Sequence, residues 1–162
     1  MNVAQAVARI KAAAHDISDE YSNERCIEFL NTAIQQAASL LIANKWPPMA
    51  QELTLHDGET LPDNYMVPCG QYPIRITNNE VTFLDDDLDN LRFRYFATPA
   101  ALTNVSDDMP FAGYFYVQEA IVKLAIALAL NENEYDISQD SALNQELMQA
   151  IAGGMGANLQ ET

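Results

Sequence analysis

The stretch from Phe111 to Leu130, FAGYFYVQEAIVKLAIALAL, most constrains what this chain can fold into. From Ala120 onward, Lys123 is the only side chain in it that must reach water. The run is roughly four times the length of an ordinary strand and rich in Ala and Leu, so it predicts a helix. It is not a membrane span: broken by Lys123 and preceded by Gln118 and Glu119, its apolar part falls short of the roughly 20 residues a hydrocarbon core requires. A helix that is apolar nearly all round has to be enclosed by other elements, which places it at the centre of the fold.

Four further segments offer faces to it. Val3, Val7, Ile10 and Ala14 recur at helical spacing and predict a short amphipathic helix over 2–15. Ser18, Asp19, Glu20 and Ser22 then supply breakers and N-cap candidates for a second helix, about Asn23 to Lys45, with Ile27, Leu30, Ile34, Ala37 and Leu41 on its stripe. Trp46-Pro47-Pro48 stops it, because proline lacks the amide a helix needs. From Ala50 to Thr98 the texture becomes short period-two runs. These predict strands at Glu52–Leu55, Tyr65–Val67, Ile74–Thr77, Val81–Leu84 and Leu91–Phe96, paired antiparallel because the links are short. Asn78-Asn79 predicts a tight hairpin turn. Asp107-Asp108-Met109-Pro110 leads directly into the central helix, and Ser138 caps a last helix carrying Leu143, Leu147 and Ile151, which ends at Gly153-Gly154.

The expected architecture is mainly α (α+β), a four-helix core with a small antiparallel β segment inserted between helix 2 and the central helix. The 162 residues suit one globular domain over 1–152, with the β insertion at about 50–98 and a flexible tail over 153–162. Eight basic against 23 acidic side chains leave a formal charge of −15. Such a surface repels phosphate and argues against gripping nucleic acid or adhering to an anionic membrane. The N-terminus lacks the basic start and uninterrupted apolar stretch of a secretory signal, so cytoplasmic synthesis is expected. Cys26 and Cys69 have neither a CxxC spacing nor the density of a disulfide framework; reduced thiols are expected, with a bridge between them left open.

Motifs for chemistry are sparse. Asp85-Asp86-Asp87-Leu88-Asp89-Asn90 puts four carboxylates in five residues. A calcium loop starting at Asp85 fails, since Asn90 stands where Gly is needed and Phe96 where a bidentate Glu is needed. A solvated turn accounts for it better. His15 and His56 match no zinc spacing, and GxSxG, GxxxxGK[ST] and GxGxxG are absent from the sequence. No enzyme, cofactor or metal site is therefore expected. The aromatics at 93–96 and 114–116 are shared between core packing and display. Arginine and aromatic side chains are what interface centres prefer, which makes Arg92, Arg94, Tyr95 and Tyr114 candidates for a protein interface.

The order of signals carries more than any one of them. Two helices ending at Trp46-Pro47 lead into a β segment with Leu61-Pro62-Asp63-Asn64-Tyr65. Then come an arginine-and-aromatic strand running on through Tyr95-Phe96-Ala97-Thr98-Pro99-Ala100-Ala101-Leu102, the lead-in Asp108-Met109-Pro110, the Ala-rich helix and a last helix. Over nearly its whole length the chain resembles the head-to-tail adaptor (connector, or head completion) proteins of tailed bacteriophages. It departs from the simplest of them in a longer β segment. The resemblance implies a non-enzymatic virion protein, made in the host bacterial cytoplasm and located at the head–tail interface. Its copies would close into a ring, a dodecamer, under the portal protein, prolong a channel through which genomic DNA slides without specific binding, and dock the tail or a tail-side adaptor. It also implies that the segment after Gly153, with Gly154, Met155 and Leu159, gains order on the portal. Other readings are a tail terminator ring, an acidic DNA mimic, or a metal-dependent hydrolase using Asp85 to Asp89.

Overall fold

The computed structural model describes residues 1–14, 21–130 and 145. Their elements are α1 (Val3–Ala13), α2 (Asn23–Ala43), a 3-10 turn (Pro47–Met49), β1 (Ala50–Leu55), β2 (Tyr65–Pro68), β3 (Ile74–Thr77), β4 (Glu80–Phe83), β5 (Leu91–Ala97) and α3 (Phe115–Leu130). They fall into two compact units. One is Met1–Ala37 with the chain from Ala101 onward; the other is Ala38–Ala100.

In the first unit α1 buries Val3, Ala6, Val7 and Ile10; Ala14, expected on the same stripe, is the C-cap and only half-buried. Its start is held twice over. Asn2 and Gln5 form a capping box, the Asn2 side chain accepting from the Gln5 amide at 2.9 Å and the Gln5 side chain accepting from the Asn2 amide at 3.0 Å. The amides of Val3 and Ala4 donate to the carbonyls of Asp107 and Val105, each at 3.0 Å, so the loop before α3 satisfies donors that a helix start leaves orphaned. Asp107 is itself fixed by the Thr103 and Asn104 amides, which hold its carboxyl below the usual carboxylate range.

On α2, Ser22 accepts from the Arg25 amide at 3.1 Å, as an N-cap should. Cys26, Ile27, Leu30, Ala33, Ile34 and Ala37 are buried. By length and composition alone α2 could cross a bilayer, but a core helix with its apolar stripe packed inside passes the same test. Asn31 pins the loop that follows the β segment: its Nδ2 donates to the Leu102 carbonyl at 3.0 Å and its Oδ1 accepts from the Leu102 amide at 2.8 Å. Asn31→Leu leaves both backbone groups without that partner and should cost about 2 kcal/mol. The check is a urea midpoint followed by far-UV circular dichroism; an unchanged midpoint would show that the pin carries no stability.

The central helix begins later than its sequence suggests. Phe111 and Gly113 have φ of 64° and 87°, left-handed geometry that no α-helix contains, so the chain turns there and α3 starts at Phe115. Asp108 instead bridges to Asn2, so the Asp-Met-Pro lead-in serves α1 and does not cap α3. From Val117 to Ala125 the helix is buried at every position but Glu119 and Lys123, and toward its end Ile126 to Leu128 are half-buried. Arg9 of α1 grips Glu119 of α3 with both terminal guanidinium nitrogens, Nη2 to Oε2 at 2.9 Å.

The second unit begins with the end of α2, two residues earlier than expected. Lys45 adopts φ 54°, its amide donating to Ile42 and that of Trp46 to Leu41, which is a Schellman cap with lysine in the place glycine usually takes; Pro47 only follows it. The five strands appear within one or two residues of their expected bounds and pair antiparallel, as β1-β5-β2 and β3-β4. Asn78 and Asn79 both take positive φ, the requirement of a two-residue hairpin turn. The loop after β1 runs back along β4, with Gly58 and Leu61 donating to Val81 and Asn79 at 2.8 Å, and this brings Leu61 inside.

The expected mainly α fold with a four-helix core is thereby corrected. Among the described residues there are three helices and five strands in two antiparallel sheets, about 42% helix and 22% strand. The physical reason is that the β segment encloses a core of its own. Leu55, Leu61, Val81, Phe83, Phe93, Tyr95 and Ala97 pack together, with Tyr65, Tyr72, Ile74 and Leu88 against them. Apart from Gln145, the last helix placed at Ser138 and the tail over 153–162 lie outside the described residues.

Candidate functional site

Strand alternation decides which of the candidate interface residues reach the surface. On β5 the pattern puts Phe93 inward and Arg92 and Arg94 outward, and after Arg94 it breaks, leaving Tyr95, Phe96 and Ala97 all buried. Tyr95 is therefore corrected from interface to core residue. Its ring stacks on Phe93 with centroids 5.8 Å apart, and its hydroxyl donates to Gln51 Oε1 at 3.2 Å. Neither feature leaves the ring open to a partner.

Arg92 and Arg94 stand about 7 Å apart along one strand on the same face of the sheet. Arg92 Nε donates to Glu52 Oε1 at 2.9 Å. Arg94, directly across the ladder from Glu52, has no ion pair among the described residues. Its backbone is fully used: the amide donates to the Tyr72 hydroxyl at 3.1 Å, and the carbonyl accepts from the Cys69 amide at 2.9 Å. Cys69 is exposed beside it. Partial desolvation pushes that thiol's pKa up, and the charge of Arg94 opposes the shift. Cys26 is buried in α2, and the two cysteines form no bridge.

The neighbouring edge strand adds apolar surface to this face. The register shifts between Tyr65 and Val67, a bulge that leaves both Met66 and Val67 more than 40% exposed. Pro68 ends the strand, and a proline on an edge blunts it against further pairing. The candidate site is thus a sheet face carrying two arginines and an exposed valine, in a chain of charge −15.

The turn between β4 and β5 has the opposite charge. Asp85 Oδ1 accepts from the Asp87 amide at 3.0 Å, and Leu88 packs on the β core, so the turn is anchored. Asp85, Asp86, Asp87 and Asp89 remain exposed, without an ion pair among the described residues. Among the described residues no group of three His, Cys, Asp or Glu side chains is placed to hold a metal ion.

In the first unit, Tyr114 is half-buried and its carbonyl accepts from the amides of Val117 and Gln118, so it opens α3. The aromatic display belongs to its neighbours. Phe115 and Tyr116 are 61% and 67% exposed and meet edge to face at 6.0 Å. Sequence reasoning missed them as surface residues; the signal was that both precede the uninterrupted apolar run. Gly153, Gly154, Met155 and Leu159 lie outside the described residues. No protein-family model matches the chain, and no curated protein matches it either.

Proposed function

We propose that this chain is a structural head-to-tail adaptor of a tailed bacteriophage, one subunit of a ring that sits under the portal, extends the DNA channel and receives the tail. The observation that carries this reading is the order of its sequence signals: paired helices to Trp46-Pro47, the Leu61 to Tyr65 segment, the arginine strand through Leu102, Asp108-Met109-Pro110 and the Ala-rich helix. Two physical features support it. A charge of −15 repels phosphate, as the wall of a channel through which DNA slides must. Arg94 and the Phe115–Tyr116 pair offer the arginine and aromatic side chains that protein contacts favour.

The mechanism is assembly. Copies joined by non-identical patches close into a ring when the rotation between neighbours divides a full turn. Deleting the gene from the phage genome that carries it should leave DNA-filled heads and free tails that do not join, with attachment restored by a plasmid copy. Complete infectious particles from the deletion would overturn the proposal.

A further inference from the structure

The second unit carries two surfaces of opposite charge, and among the described residues neither Arg94 of the one nor any carboxylate of the other has an ion pair. One is the sheet face around Arg94, with Arg92, Val67 and Cys69 beside it. The other is the anchored acidic turn Asp85 to Asp89. The remaining cations of the unit, Lys45 and Arg75, stand singly on other elements, so the Arg92–Arg94 pair is its one concentration of positive charge among the described residues. Arg94 cannot be neutralised by the turn of its own chain in this conformation, since no ion pair joins them.

We infer that the Arg94 face receives the Asp86–Asp89 turn of a second copy of this chain. The inference rests on the ring-forming reading above and names the surface that joins the copies. Charge complementarity selects the occupant. DNA is the other abundant polyanion, but its dense, continuous phosphate charge meets the summed field of a −15 protein. Between two copies the same net repulsion is screened beyond about 8 Å at physiological ionic strength, while carboxylates docked on Arg94 act within that distance. Because the two patches occupy different places on one unit, each copy both gives and receives. In a ring the contact is heterologous, the turn of one copy on the face of the next, and it propagates instead of stopping at a reciprocal pair. The exposed Val67 supplies apolar area at the receiving face, and desolvating the arginines against carboxylates supplies specificity.

Cys69, on the receiving face, makes the contact measurable. The full chain carrying Asp87→Cys, treated with a short bis-maleimide with and without portal rings, is expected to give a ladder of dimers, trimers and larger species on denaturing gels. Arg94→Glu in that background should reduce the ladder at least tenfold with unchanged circular dichroism, since Arg94 is exposed. Adding Asp86→Arg and Asp89→Arg, which with Asp85 leaves the turn net positive against the reversed face, should restore it. Monomers alone, products that stop at dimers, or a ladder indifferent to Arg94→Glu would overturn the inference. Portal binding, scored separately by co-sedimentation, keeps the two readings apart. A ladder without portal binding removes the adaptor role and leaves this surface standing, whereas portal binding without a ladder does the reverse.

Discussion

Phe93→Ala should remove about 3–5 kcal/mol of stability, enough to unfold the β unit of a domain of ordinary stability. Phe93 has no exposed surface and is the hub of the aromatic cluster. Tyr72 meets it edge-on at 4.9 Å, Tyr95 stacks on it at 5.8 Å, and Tyr65 lies 6.1 Å away. Alanine there forfeits the transfer free energy of the ring and leaves a cavity between two sheets that are each too small to stand alone. The chain has one tryptophan, Trp46, and it is buried in the same unit, so its fluorescence in a urea titration reads this loss directly. Arg92→Ala on the opposite face is the control, with a change within about 0.5 kcal/mol. Equal midpoints for the two variants would mean that Phe93 is not the centre of a core.

Ile121→Asp is expected to abolish the helical unit. Ile121 is fully buried in α3, with Val117, Leu124 and Ala125 buried on the same helix. On α1 and α3, among the described residues, Arg9 is already held by Glu119 and Lys123 is exposed, so neither is placed to neutralise a carboxylate at this buried position. Either the charge is buried unpaired or the carboxyl takes up a proton, and both cost several kcal/mol. Ile121→Val, which removes one methylene, should cost only about 0.5–1.5 kcal/mol and keep the far-UV circular dichroism of the parent. A helical signal retained by the aspartate variant would place Ile121 at the surface, contrary to the structure.

How much of this was legible in the sequence depends on the range of the interaction that decides each feature. Local rules served well. Period two located all five strands and Asn78-Asn79 the hairpin, and the cap of α2, Ser22, is one of the candidates among Ser18, Asp19, Glu20 and Ser22. The capping box of Asn2 and Gln5 is equally local, since it needs only an Asn and a Gln three residues apart at the start of the apolar stripe. Tyr95 could also have been placed: it shares its parity with Phe93, so displaying one would have displayed both. Other features were not local. Phe111 adopts left-handed geometry although it is not glycine, which no propensity indicates, and the start of α3 moved with it. The division into a helical and a β core depends on Leu61 and Leu88 being carried onto β4 and β5 from connecting segments. Of the candidate interface, Arg92 and Arg94 were readable as outward positions, while the exposure of Met66 and Val67 comes from a bulge that only the paired strands reveal.

The head-to-tail reading itself is tested most directly by electron microscopy of the purified protein mixed with portal rings from the same genome. Expected is an added layer of density on one end of each ring, with one copy of this chain per portal subunit and a channel continuous through both layers. Portal rings that remain bare at saturating protein concentration would contradict it.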